Sequence, residues 1–366
     1  AKTTALQYAG GAGIQNAAIA FGGRQPTPSG NTCTEHYNGS TWSAGGAMNQ
    51  ARIEIGGAGT EYAALAAGGY QAPVKGLACT EEYYGETWAV GGALISALND
   101  KGAAGTQNAA LAMGGGFLGP AAVGTHSCTE EYNGTSWAAG GALNVGRRAV
   151  RATGTQNAAL TTGGICSNNA ESCTEEYDGT SWSIASGHTT CRKLGALGGL
   201  QNGAFYAGGR ENPSPYHSDC TEHYDGIHWS TGAALGTARY GGATGGAGTQ
   251  TAGLVFGGDG SPQNTLTEEY TSYVTSGSFG KIVATTLSGD GRGLTNSKLA
   301  SYISSSVQIA SDISGSFLEG FDDLTGEVGI ATIPDSLKAC TDTWRGTWSV
   351  GGAMINSRER TSGAGV

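Results

Sequence analysis

Residues 105–115 read GTQNAALAMGG and residues 128–147 read CTEEYNGTSWAAGGALNVGR, and the same wording returns along the chain. An apolar stretch closes on Gly-Gly; a variable loop leads to Cys-Thr-Glu-Glu/His-Tyr; a tight turn, a Trp and Gly-Gly-Ala follow. The period is about 46 residues, so architecture is the first thing the sequence decides. The copies register on Tyr37/Trp42, Tyr83/Trp88, Tyr132/Trp137, Tyr177/Trp182 and Tyr224/Trp229, with an invariant interval inside each pair. A sixth unit keeps residues 254–258 and 267–270 but has no Trp in place. A seventh, residues 340–348, has Trp348 without a Gly-Gly strand upstream.

Each copy reads as a meander of four short strands. Small residues precede a turn at Thr106-Gln107, residues 108–115 form the second strand, and residues 128–132 the third. Asn133-Gly134 matches a two-residue type I′ turn into a fourth strand carrying Trp137. Four-stranded antiparallel units of this length, repeated radially, are the blades of a β-propeller. Composition agrees: Gly supplies 66 of 366 residues and charged residues 13%, which suits short strands and sharp turns. Evenly spaced aromatics argue against a low-complexity tail. No window is long and apolar enough to form a membrane-spanning helix, and no membrane insertion is expected.

The Gly-Gly strand end, the Tyr and Trp that follow, and an Arg near each blade junction resemble the kelch repeat over residues 5–272 and 339–366. The wording of residues 105–115, 129–137 (TEEYNGTSW) and 140–144 (GGALN) is similar to kelch-like arrays in virion structural proteins of tailed, especially marine, bacteriophages. Residues 276–296 (SGSFGKIVATTLSGDGRGLTN) and 303–317 (ISSSVQIASDISGSF) resemble modular segments of the same phage proteins. The resemblance implies a virion surface or tail-fibre component, with other virion proteins and a host-cell glycan or receptor as partners.

Three segments follow from the pattern: propeller repeats over 1–272, an insertion or degenerate blade over 273–338 where the Tyr-Trp cadence stops, and a final partial repeat over 339–366. Alternating apolar positions at 282–287 and 328–333 favour seven blades over six, the seventh completed by residues 340–348. Residues 1–13 and 357–366 both fit a first strand, so closure of the ring is left open.

The chemistry-bearing residues read as structural. Cys33, Cys79, Cys128, Cys173, Cys220 and Cys340 share one slot, and equivalent positions of adjacent blades are too far apart for the ~4.4–6.8 Å Cα separation of a disulfide; they read as small packing groups. Cys166 and Cys173 are the one pair close enough along the chain to bridge. Glu81/Glu82, Glu130/Glu131, Glu175/Glu176 and Glu268/Glu269 are adjacent on strands and point to opposite faces, so no doublet forms a catalytic pair. One member of each is expected to meet Arg52, Arg147, Arg192, Arg239 or Arg358. His36, His126, His188, His217, His223 and His228 do not gather, and no Cys-x-x-Cys occurs. Residues 289–293 (GDGRG) lack the Lys-Ser/Thr of a phosphate loop, and Asp322, Asp323 and Glu327 do not have EF-hand spacing. No cofactor or metal and no catalytic residue is expected. The formal net charge of −10 weakens nucleic-acid binding, and no nucleic-acid partner is expected.

Binding is expected where the copies differ. The loops between second and third strands, residues 24–32, 70–78, 116–127, 165–172, 210–219 and 259–265, share one face, and variable loops on a rigid scaffold are the usual seat of recognition. Tyr70, Phe117, Arg210, Asn212, Tyr216 and His217 are the candidate ligand-binding residues. The expected function is non-enzymatic: attachment to a host surface, or a structural spacer. The alternatives are a glycan-modifying or oxidase-type enzyme on a propeller, which a pair of carboxylates with perturbed pKa on the variable-loop face would favour, and a bacterial secreted adhesin.

Overall fold

In a computed structural model of the chain, the described residues are 6–24, 30–73, 76–116, 124–166, 169–211, 217–241, 247–259 and 265–272, together with strand Gly346–Val350. They form six four-stranded antiparallel sheets and no helix. In the third blade the strands are Gly102–Thr106, Ala109–Met113, Thr129–Tyr132 and Trp137–Ala139, paired in sequence order. The innermost strands Gly10–Ile14, Gly56–Gly59, Gly102–Thr106, Arg151–Thr155, Ala196–Leu200 and Ala247–Gly248 each contact the next, and the last contacts the first. The described residues therefore form a closed six-bladed β-propeller.

The expectation of seven blades is corrected by the position of strand Gly346–Val350. It pairs with the sixth blade's third strand, Thr267–Ser272, in the register Tyr270↔Trp348. Every other blade sets its Tyr opposite its Trp in the same way, as in Tyr132↔Trp137. The Trp that the sixth copy lacks and the Trp of the supposed seventh thus belong to one blade, split by residues 273–345. The chain divides into two compact units, residues 1–273 with 344–366, and residues 274–343. The second, with the predicted strands at 282–287 and 328–333, and residues 357–366 lie outside the described residues.

The turn between third and fourth strands also differs from its expected type. Residues 133–136 form a four-residue loop in which only Gly134 has positive φ, at 87°. Asn133 Oδ1 accepts the backbone N–H groups of Thr135 and Ser136 at 3.0 and 2.9 Å. Asn38, Asp178 and Asp225 do the same in their blades. Asn-Gly and Asp-Gly appear here because a short side chain turns back on its own backbone, which is a different use of the same letters.

The repeated Gly-Gly has a backbone cause. Gly114 and Gly115 sit at φ 64° and 101°, in the left-handed region where Cβ is penalised. Gly114 N–H donates to Cys128 O and Gly115 N–H to Arg147 O, both at 2.9 Å. A Cβ on Gly114 would lie 2.6 Å from Arg147 O. The pair thereby joins its own blade to the crossover that begins the next.

The core lies between blades. Ala58, Leu65, Ala67, Leu94, Ala103, Ala110, Ala112, Tyr132 and Trp137 form one cluster shared by the second and third blades. Its Trp137 ring centroid is 4.8 Å from that of Tyr132, and its Nε1 donates to Thr80 Oγ1 of the preceding blade at 2.9 Å. The same indole-to-threonine bond joins Trp88 to Thr34, Trp182 to Thr129, Trp229 to Thr174 and, across the closure, Trp42 to Thr267. Because Trp137 fills a shared core and satisfies a buried hydroxyl, Trp137→Ala is expected to lower the unfolding free energy by ~3–5 kcal/mol in urea denaturation. Cys128→Ala, at a half-buried free thiol, should stay within about 1 kcal/mol of wild type.

Candidate functional site

The acidic doublets are structural on both sides. The first member clamps the crossover: Glu175 accepts Arg147 Nη2 at 2.6 Å and the backbone N–H groups of Asn144 and Val145 at 2.7 and 3.2 Å. Arg52–Glu81, Lys101–Glu130, Arg192–Glu222 and Arg239–Glu268 repeat this buried pair; Arg358 lies outside the described residues. The second member links blades. Tyr132 donates to Glu82 and Tyr177 to Glu131, both at 2.5 Å; Tyr224 donates to Glu176 at 2.8 Å, and Tyr37 to Glu269 at 2.7 Å across the closure. Where His replaces the second Glu, His36 Nε2 meets Tyr83 Oη at 2.8 Å. Burial and the acceptor carboxylate push the Tyr132 and Tyr177 phenols up to about 12, so the donor proton stays in place.

Chemistry not used by the repeat gathers at one end of the central channel. Two residues ahead of the Arg151–Thr155 inner strand and four of its equivalents stand Tyr8, Glu54, Asp100, Ala149 and Leu194, with Gly241 at the corresponding point of the last crossover, all at φ between 54° and 65°. Five are not glycine, and such strained positions concentrate at functional sites. Backbone bonds join neighbours around this rim: Tyr8 N–H to Gly241 O at 2.7 Å, Gly241 N–H to Leu194 O at 2.8 Å, Ala149 N–H to Asp100 O at 3.1 Å and Glu54 N–H to Tyr8 O at 2.9 Å. The residue before each pairs with the first residue of a variable loop, as in Gln7↔Arg24, Ile53↔Tyr70, Arg148↔Ile165, Lys193↔Arg210 and Tyr240↔Asp259. The channel mouth and the variable loops therefore share a face.

An aromatic and charged cluster occupies the mouth. Tyr8 and Tyr240 pack against buried Ala149, Ile165 and Leu194, with their ring centroids 6.5 Å apart. The Arg24 guanidinium lies 4.9 Å from the centre of Tyr8, and Arg210 lies 5.6 Å from that of Tyr240, both within cation–π range. His217 stacks on Tyr240 at 5.0 Å, and Tyr240 Oη donates to Asp259 at 3.0 Å. Glu54 and Asp100 are buried beside them. Asn99 Nδ2 donates to Glu54 at 2.6 Å, and Arg148 Nη1 lies 3.7 Å from Asp100 Oδ2. Burial and then the charge of Asp100 push the Glu54 carboxyl up to about 8; burial also raises Asp100. Glu54 accordingly keeps its proton to higher pH than an ordinary carboxyl.

Of the six residues expected to bind, Arg210 and His217 come together on Tyr240, and Tyr70 stands at the matching rim position of the second blade. Phe117, Asn212 and Tyr216 lie outside the described residues. Tyr8, Glu54, Asp100, Arg148 and Tyr240 escaped the sequence reading because they sit in crossovers between copies. A signal exists: in near-identical repeats this slot holds Tyr, Glu, Asp, Ala, Leu and Gly in turn. The aligned cysteines Cys33, Cys79, Cys128, Cys173 and Cys220 are unbridged and half-buried, less enclosed than a core role requires, and Cys166 is likewise a thiol rather than half of a disulfide. Their carbonyls are what the fold uses, as when Arg147 Nη1 donates to Cys173 O at 2.5 Å. Among the described residues no three His, Cys, Asp or Glu side chains converge as metal ligands do.

The fold and its mouth define a β-propeller with one chemically distinct face. Among solved structures, one titled "Structure of YjhT" resembles this chain with a TM-score of 0.61 at 12% identity, covering 75% of this chain and 97% of that one. At that identity the likeness concerns the fold alone. No family profile and no curated protein sequence matches the chain.

Glu54 gives the mouth a measurable pH signature. Its carboxyl titrates near 8 in the folded protein against roughly 4.3 in an unfolded chain. Between those values the unfolded state releases a proton that the folded state keeps, so this group's contribution to stability falls as pH rises. Glu54→Gln removes the difference: its melting temperature relative to wild type is expected to climb steadily from pH 5 to pH 8. A gap that stays constant with pH would contradict the assignment.

Proposed function

We propose that this chain is a non-enzymatic attachment protein of the virion surface or tail-fibre kind, built on a kelch-like propeller that presents a glycan-binding site at the channel mouth. The supporting observation is the one-sidedness of the chemistry. The doublet, Tyr, Trp and Arg positions are spent on holding blades together, while the residues that depart from the repeat meet on the variable-loop face. Tyr8, Tyr240 and His217 offer rings on which a sugar stacks, and Arg24 and Arg210 offer donors beside them. The virion setting and the partnership with other tail proteins rest on the wording of the repeats and of residues 276–317.

Glu54 and Asp100 support a second reading, an enzyme acting on the glycan it binds. A carboxyl that keeps its proton beside a second acid is the arrangement general acid catalysis uses.

The two separate on a glycan array followed by mass analysis of bound ligands. The labelled full chain is expected to retain a subset of host-surface glycans unchanged in mass. Arg210→Ala combined with His217→Ala should reduce retention at least about tenfold while the melting temperature holds. A changed mass that depends on Glu54 would establish the enzyme; retention indifferent to the double substitution would move the site off this face.

A further inference from the structure

The cations of the channel mouth outnumber its acids, against the sign of the whole molecule. Arg24, Arg148, Arg151, Lys193 and Arg210 act on one another's charges or on those of Glu54 and Asp100. The acids there are Glu54, Asp100 and Asp259, the last engaged by Tyr240. Lys193 is pressed by burial and by Arg210 and Arg148, and its pKa falls. In a chain of net charge −10, such crowding of like charge persists where it has a use.

Arg151 is the telling member. It takes the first position of its inner strand, where other blades place Gly10, Gly56, Gly102 and Ala196, so one large cation enters a slot otherwise kept small. Its side chain is 1% exposed. Nε donates to Gly195 O at 3.0 Å and Nη1 to Val150 O at 2.9 Å, whereas Nη2 is buried with no hydrogen-bond partner. A buried guanidinium nitrogen without an acceptor is costly. After burial, the groups whose charges bear on it are buried Tyr206 first and then Asp100, Tyr8 and Glu54 of the mouth.

We infer that the channel mouth binds an acidic sugar, its carboxylate or phosphate received by Arg151 with Arg148 and Lys193, and its ring lying against Tyr8 and Tyr240. This deepens the attachment reading and rests on it, since it names the ligand class of the same site. Nη2 is sealed from solvent in the structure, so binding entails a shift of the side chains that cover it. The anion then supplies the acceptor that Arg151 lacks, and charge-assisted bonds of this type are the strong ones.

Calorimetric titration of the full chain with glucuronate, glucose 6-phosphate and glucose tests the inference. At least one acidic sugar is expected to bind at least about tenfold more tightly than glucose, with affinity falling as salt rises; which of the two binds identifies carboxylate or phosphate. Arg151→Met should abolish the preference. Lys193→Ala, at a half-exposed position that leaves the core intact, should weaken it several-fold and covers the case in which Arg151→Met does not fold. Equal binding of glucose and the acids, or acid binding untouched by both substitutions, overturns the inference. Failure of both acids to bind while the chain still retains neutral host glycans through His217 and Arg210 overturns it and leaves attachment standing; failure of all glycans removes both.

Discussion

A strand that carries two adjacent carboxylates must satisfy one on each of its faces, and the ring follows from how the third strands of four blades do so, with Glu-His in the other two. The first carboxylate folds the incoming crossover onto its own blade through a buried Arg or Lys and one or two backbone N–H groups. The second receives a phenol from the blade that follows. Buried charges gain little net stability over well-packed apolar groups, yet breaking one partner leaves a costly orphan. Such contacts therefore fix geometry more than they add stability: they set where each blade sits and forbid slippage by one residue, which would turn the doublet inside out. Tyr37 to Glu269 and Trp42 to Thr267 are the same contacts made across the closure, so the ring shuts with a Trp-to-Thr bond already used at four junctions and a Tyr-to-Glu bond already used at three.

Much of this was legible because a repeat states its own constraints several times. The Tyr-Trp interval marked the successive copies, and strand alternation announced that the doublet faces two ways. Two readings failed for physical reasons. The blade count failed because hydrogen-bonded neighbours in a sheet need not be neighbours in sequence, and Trp348 completes a sheet whose Tyr270 precedes it by a whole unit of chain. The turn type failed because Asn-Gly serves both a type I′ turn and a side-chain-capped loop, which letters alone do not separate.

The site was harder to read for a different reason. Tyr8, Glu54, Asp100, Arg148, Lys193 and Tyr240 stand roughly one period apart, each unremarked within its own crossover. Only closure of the ring brings them to one rim, and closure is a property of all six blades together. Arg210 and His217 were singled out because they sit in a loop whose variability marks it; the residues they meet carry no such local mark.

The split sixth blade makes the ring a socket. Ser272 and Gly346 are paired across one sheet, so the intervening chain leaves and returns at a single hairpin mouth, the geometry at which whole domains are tolerated as insertions. For a flexible chain, closing a loop of some seventy residues in place of a four-residue turn costs only roughly 2–3 kcal/mol more, a sum that one well-buried aromatic strand contact repays. The sixth blade thus accommodates a long excursion of the chain at that point. During synthesis the last strand arrives after the other twenty-three of the ring, so the sixth blade keeps an open edge until residues 346–350 emerge.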